Sequence, residues 1–92
     1  MDDDTVYYVY ILETKVKKSG KIKYYTGYTS DLYKRLRQHK ENRGAKFCRG
    51  KKIKLKYFET HFTRSEAMRR ELEIKALTHA EKAKLISTFQ NG

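Results

Sequence analysis

Glu71 is the carboxylate in this sequence with the strongest case for chemistry. On a helix starting near Thr63, counted at about 100° per residue, the apolar arc runs from Ile74 and Ala67 through Met68 and Leu72 to Ala76. Glu71 and Lys75 fall inside that arc, whereas Glu66 and Glu73 fall opposite it, as a cap and a solvated charge. A carboxylate turned toward a core must be paired, bind a cation or reach a cleft, because burying it alone is costly. From the wheel alone, an i to i+4 ion pair with Lys75 is the preferred account.

The helix after residue 30 poses a parallel question. Leu32 and Leu36 mark its buried stripe, and Asp31, Arg35 and His39 run beside it at i, i+4 and i+8. Arg35 and His39 can look into one cleft, where a guanidinium suits bidentate phosphate contact and an imidazole can move a proton. An Asp31–Arg35 surface pair with a solvent-facing histidine is the ordinary alternative. His61 and His79 have no metal-ligand spacing with another histidine. Of eight tyrosines, five stand at 7, 8, 10, 24 and 25. Alternation puts Tyr8, Tyr10 and Leu12 on one face, and Tyr10 is expected at a sheet edge open to a ligand. Tyrosine also simply fits half-buried strands.

The candidate nucleic-acid contacts are Arg43, Lys46, Arg49, Lys51 and Lys52, continued by Lys54 and Lys56, with Lys75 on the later helix. Phe47 and Tyr57 are interleaved with them, so cations can hold phosphate while rings stack bases. Across 92 residues, 22 lysines and arginines face 11 acidic residues, a net charge of +11 that calls for an anionic partner. A membrane is the competing polyanion. No apolar run approaches the roughly 20 residues of a spanning helix, and no signal pattern follows the Met1-Asp2-Asp3-Asp4 start, so a cytoplasmic protein without membrane contact is expected. The single Cys48 cannot form an internal disulfide, nor a zinc site of the usual spacing.

The elements that must position these residues follow from patterning. Residues 6 to 13 are β-branched and aromatic and apolar on both alternating faces, which predicts a central strand. Ser19-Gly20 leads into a second strand over 22 to 28, an antiparallel hairpin with a long lysine-rich loop. Thr29 or Ser30 caps a helix to about residue 41, with Asp31 in its first turn and Gly44 beyond its end. A basic loop over 43 to 52 precedes a third strand over 53 to 62, carrying Lys54 and Lys56 on one side. Thr63 with Glu66 and Thr78 with Glu81 have capping-box spacing, starting helices to about 77 and 89. The expectation is one domain over 1–92, α+β, with a small three-stranded antiparallel sheet, first strand central, flanked by three helices in the order β-β-α-β-α-α.

Val9-Tyr10-Ile11 is followed one hairpin later by Tyr25-Thr26-Gly27, then by Asp31-Leu32-Tyr33-Lys34-Arg35-Leu36, Gly44-Ala45-Lys46 and Arg64-Ser65-Glu66-Ala67-Met68-Arg69-Arg70-Glu71. In this order and spacing the chain resembles the GIY-YIG nuclease family, especially its small standalone single-domain members, from Tyr8 through Ile86. The resemblance implies catalytic roles for Tyr10, Tyr25, Arg35, His39 and Glu71. The two tyrosines form a pair, Arg35 clamps phosphate, His39 follows one turn later and Glu71 binds the metal. It overturns the preference for plain surface pairs at Glu71 and Arg35. Many relatives carry an asparagine beyond that glutamate; here only Asn91 lies beyond it.

The implied activity is Mg²⁺-dependent hydrolysis of nucleic-acid phosphodiesters by in-line attack of water, with Mn²⁺ as a substitute metal. Tyr10, with Tyr25 or His39, would accept or relay the water's proton. DNA is favoured over RNA, sequence specificity is expected to be low, and DNA repair or recombination is the implied setting. A non-catalytic nucleic-acid-binding module of the same fold is the alternative, and a basic adaptor for an acidic protein or membrane is a weaker one.

Overall fold

A strand apolar on both faces must be covered on both, and β1 (Tyr7–Val16) is: Val9, Tyr10, Ile11 and Leu12 are each at most 1% exposed. In this computed structural model, which describes residues 5–90, β1 lies between β2 (Ile22–Thr29) and β3 (Lys51–His61), antiparallel to both. The Met1–Asp4 start and Asn91 lie outside the described residues. Alternation along β1 divides the core in two. Val9 and Ile11 pack with Tyr57, Ala67, Ile74 and Ile86 on the face covered by α2 (Arg64–Lys75) and α3 (His79–Gln90). Tyr10 and Leu12 pack with Cys48, Tyr25, Leu32 and Leu36 on the face covered by α1 (Leu32–Lys40) and a 3-10 turn (Lys46–Cys48). The α+β order, the three-stranded antiparallel sheet and the central first strand are as expected from the sequence.

Several local expectations are corrected. β1 continues to Val16, so the hairpin connection is short, closed by the Gly20 amide on the Val16 carbonyl at 2.8 Å with Gly20 at φ +73°. Asp31, not Thr29 or Ser30, caps α1: its Oδ1 accepts the Lys34 amide at 3.0 Å, while the Thr29 hydroxyl accepts the Asp31 amide just before. Asn42, at φ +62°, takes the left-handed position after α1 that Gly44 was expected to serve. Lys51 and Lys52 open β3 instead of closing a loop. A register shift pairs Ile11 with Tyr57 and Leu12 with Leu55, so Lys56 is the extra residue and Leu55 and Phe58 both reach the α1 side.

The later caps form where expected. Thr63 accepts the Glu66 amide, and Thr78 and Glu81 exchange both bonds of a capping box. The apolar arc of α2 is narrower than the wheel implied. Ala67 and Ile74 are fully buried, but Met68 is 45% and Leu72 66% exposed, because the helix meets the sheet along one seam.

α2 is pinned to the far edge of the sheet by a polar knot. The Glu59 carboxylate on β3 accepts from Tyr57 at 2.5 Å and from Arg70 Nε at 2.9 Å, and pairs with His61 Nε2 at 2.6 Å. Burial works against its charge, but these three donors outweigh it and hold the carboxyl below its usual pKa.

Candidate active site

Gly27 of β2 lies opposite Tyr10 of β1, and the register fixes which phenol occupies the space above it. A Cβ at Gly27 would meet the Tyr10 hydroxyl at 2.6 Å and Cζ at 2.8 Å. The glycine of Tyr25-Thr26-Gly27 therefore makes room for Tyr10, the close approach that a glycine inside a strand commonly marks.

The Tyr10 hydroxyl meets His39 Nε2 at 3.1 Å. His39 Nδ1 accepts the Ala45 amide at 3.3 Å, which leaves the neutral ring's proton on Nε2, donated to Tyr10. Gly44 closes over the same ring, since a Cβ there would lie 2.3 Å from Nδ1. His39 is only 1% exposed, and burial, then the charge of Arg35, lower its pKa. Burial pushes the Tyr10 phenol up to about 12, although a hydrogen bond from Arg35 pulls the other way. Tyr10, 1% exposed on the central strand, is thus not at a sheet edge.

Arg35 reaches this pair from α1, and its Nη1 donates to Gln38 at 2.9 Å in place of an Asp31 partner. It lines a cleft of about 360 Å³ with Thr29, Ser30, Asp31, Lys34 and Gln38. Tyr25 is half-buried, edge-on to His39 at 5.5 Å and stacked on Phe47 at 5.9 Å. Four of the five expected catalytic residues, Tyr10, Tyr25, Arg35 and His39, thus lie together on the α1 side.

The fifth does not share that face. Glu71 stands on α2 between Ala67 and Ile74, across the sheet, with its side chain 15% exposed and its carboxylate 3.5 Å from Lys75 Nζ. Glu71 is both turned inward and paired with Lys75. Among the described residues no group of three or more His, Cys, Asp or Glu could hold a metal. One carboxylate fits a hard cation that keeps most of its water, and not a dehydrated cage. The one buried side-chain oxygen without a partner among the described residues, Thr26 Oγ1, also faces the α2 side, from the edge strand β2. A hydrated ion beside Glu71 is compatible with that donor set.

Among the basic residues, Arg43, Lys46, Arg49 and Lys52 are exposed, Arg43 being paired with Glu41. Lys51 holds its ammonium 3.8 Å over the Phe47 ring, which carries the segment to Tyr25. Lys75, paired with Glu71, lies on the other helix layer. Tyr57 is core, 8% exposed and hydrogen-bonded to Glu59, so it is no stacking platform. Sequence reasoning quoted Gly27 and Gly44 within motifs without giving either a role at the site, and did not single out Gln38. An isolated glycine within a strand pattern was the available signal for the first; nothing local marked the others.

A family model described as the GIY-YIG catalytic domain matches residues 6–84. A UPF0213 protein of Clostridium perfringens is 44% identical over 82 residues, covering 88% of this chain and 83% of its own. One from Haloquadratum walsbyi is 42% identical over 80 residues, covering 86% and 84%. The solution NMR structure of a UPF0213 protein from Bacillus halodurans superposes with a TM-score of 0.53 at 39% identity, covering 90% of this chain and 84% of that one. No helix among the described residues is long and apolar enough to cross a membrane. With the tyrosines, arginine and histidine gathered over a glycine of the second strand, and with these relatives, the chain belongs to the GIY-YIG family.

Proposed function

We propose that this protein is a metal-dependent endonuclease that hydrolyses nucleic-acid phosphodiesters, DNA in preference to RNA, with little sequence specificity, in DNA repair or recombination. The observation that carries this is the cluster on the α1 face, a buried Tyr10–His39 pair with Arg35 against it and Tyr25 beside it. Arg35, braced by Gln38 in a cleft that also holds Lys34, binds the scissile phosphate and stabilises charge developing on it. Tyr25, the tyrosine of the pair with surface open to solvent, orients the attacking water and relays its proton to bulk water, while the bond from phosphorus to the leaving oxygen breaks and that oxygen takes a proton from solvent. Tyr10 and His39 are sealed from solvent and act as positioning residues, holding Arg35 and Tyr25 in register.

Mg²⁺, or Mn²⁺ in its place, held through Glu71 would supply Lewis-acid polarisation of a phosphate oxygen. β2 is a free edge contacted by α2, and a phosphate bound over that edge can be approached from both faces of the sheet. The exposed Arg43, Lys46, Arg49 and Lys52 hold flanking phosphates without reading bases. The specific observation favouring a non-catalytic binding module is the Lys75 ammonium beside Glu71, which competes with a cation. Single-stranded, duplex and branched DNA and RNA incubated with Mg²⁺ or with chelator test the proposal. Nicking that requires the metal is expected, and binding without cleavage on every substrate would establish the module instead.

A further inference from the structure

On the other side of α1 from the Arg35 cleft, a second cleft of about 450 Å³ is walled by Tyr8, Leu32, Tyr33, Leu36 and Phe58. Tyr8 and Phe58 meet edge to face at 5.9 Å, whereas Tyr33 is 74% exposed, a ring its own fold does not bury. The two clefts share Ser30 and Asp31 at the start of α1. Cations flank the aromatic cleft on both sides. Lys34 and Arg35 line its neighbour, and the Arg37 guanidinium lies 5.6 Å from the Tyr33 ring centroid, with Lys40 in the adjoining hollow. Asp31, the one acidic residue on the wall, is committed to capping α1.

We propose that this aromatic cleft takes one unstacked nucleobase of the strand whose phosphate lies against Lys34 and Arg35. The inference rests on the nuclease reading and adds a substrate class to it. Its volume is that of a small-molecule site, and its apolar walls suit a flat aromatic ligand. Rings stack on any base, so occupancy needs no sequence preference. The cations on both flanks fit a polyanion entering and leaving, which a purely apolar peptide would not require. Bases within a duplex are stacked and paired and must be extruded at a cost. Single strands and unpaired nucleotides at branches or gaps are therefore the preferred substrates.

The test uses the 92-residue chain in chelator, binding a short fluorescent single-stranded oligodeoxynucleotide, an abasic version of it, and the matching duplex. Tyr33 is exposed, so Tyr33→Ala should keep the fold, as circular dichroism will verify, and Tyr8→Ala serves as a second variant. Tyr33→Ala is expected to weaken single-strand binding by about 5- to 150-fold, the range of one lost stacking contact. It should leave abasic binding unchanged. A 2-aminopurine in the strand should change its emission with the native protein and not with the variant. Native-like single-strand affinity in both tyrosine variants, with Arg35→Ala abolishing binding, would overturn the base cleft and leave the phosphate site standing. Absence of binding to every oligonucleotide would overturn both. Loss of self-association in Tyr33→Ala at unchanged oligonucleotide affinity would identify the cleft as a contact between copies and also overturn the proposal.

Discussion

The Tyr10 hydroxyl lies 3.1 Å from His39 Nε2, and the Ala45 amide holds the same imidazole from its far side at 3.3 Å. Two titratable rings are thereby held neutral by burial within one contact. Tyr10 ionises near pH 12 in the folded chain and near 10 when unfolded. The stability this contributes is present below pH 10 and lost as pH rises toward 12. The urea midpoint should therefore fall over that window, and Tyr10→Phe should make the fall shallower. An unchanged slope in that variant contradicts the buried assignment.

His39 gives the opposite sign on the acid side. Its pKa lies below the ordinary 6.5 in the folded chain, so below that pH the unfolded chain binds the extra proton. Stability should decline as pH falls through 6.5 toward the lowered value, and His39→Gln should remove that component from the melting temperature's pH profile.

Gly27→Ala places a methyl 2.6 Å from the Tyr10 hydroxyl, on a ring packed from every side. Rings in a filled core cannot step aside, and the cost should be about 1–3 kcal/mol in chemical denaturation. Activity should fall further than stability, because Tyr25 and His39 share the displaced space. Full activity in a stable Gly27→Ala protein would show that Tyr10's position is immaterial.

The strands and the α2 and α3 caps were legible because their signals are local. Alternation marks β1, and Thr63 and Thr78 sit at fixed offsets from their partners. Tyr10 was misjudged because exposure depends on what covers a strand, here α1 and Cys48, which alternation does not reveal. Asp31 was placed inside the first turn instead of at the cap because Thr29 and Asp31 both have capping chemistry and the chain uses each in turn. Met68 and Leu72 were misplaced because a helix touching a sheet along one seam buries fewer positions than its apolar arc offers. The Glu59 knot joins β3 to α2 through residues 11 apart, beyond any local pattern.

Glu71→Ala should abolish metal-dependent cleavage, a loss of at least about 100-fold, while nucleic-acid affinity in chelator stays near native. Lys75→Met separates the roles of the pair. It should retain cleavage and bind the metal more tightly, since the competing ammonium is gone. Cleavage by Glu71→Ala at the native rate rules out Glu71 as the metal's anchor.

Binding should weaken steeply with salt. Replacing both Arg49 and Lys52 by alanine should reduce the slope of log affinity against log salt by about 0.7 to 0.9 per residue, and weaken all sequences alike. A loss confined to particular sequences would instead point to base contacts.

The Glu59 knot gives α2 a second significance. Arg70, gripped from β3, precedes Glu71 in the chain, so the helix's rotation about its own axis is set at the sheet edge remote from β2. The helix works as a lever whose fulcrum lies outside the chemistry. Changes at Glu59 or His61 would turn the Glu71 carboxylate on its axis while leaving the Tyr10–His39 contact on the opposite face of the sheet untouched.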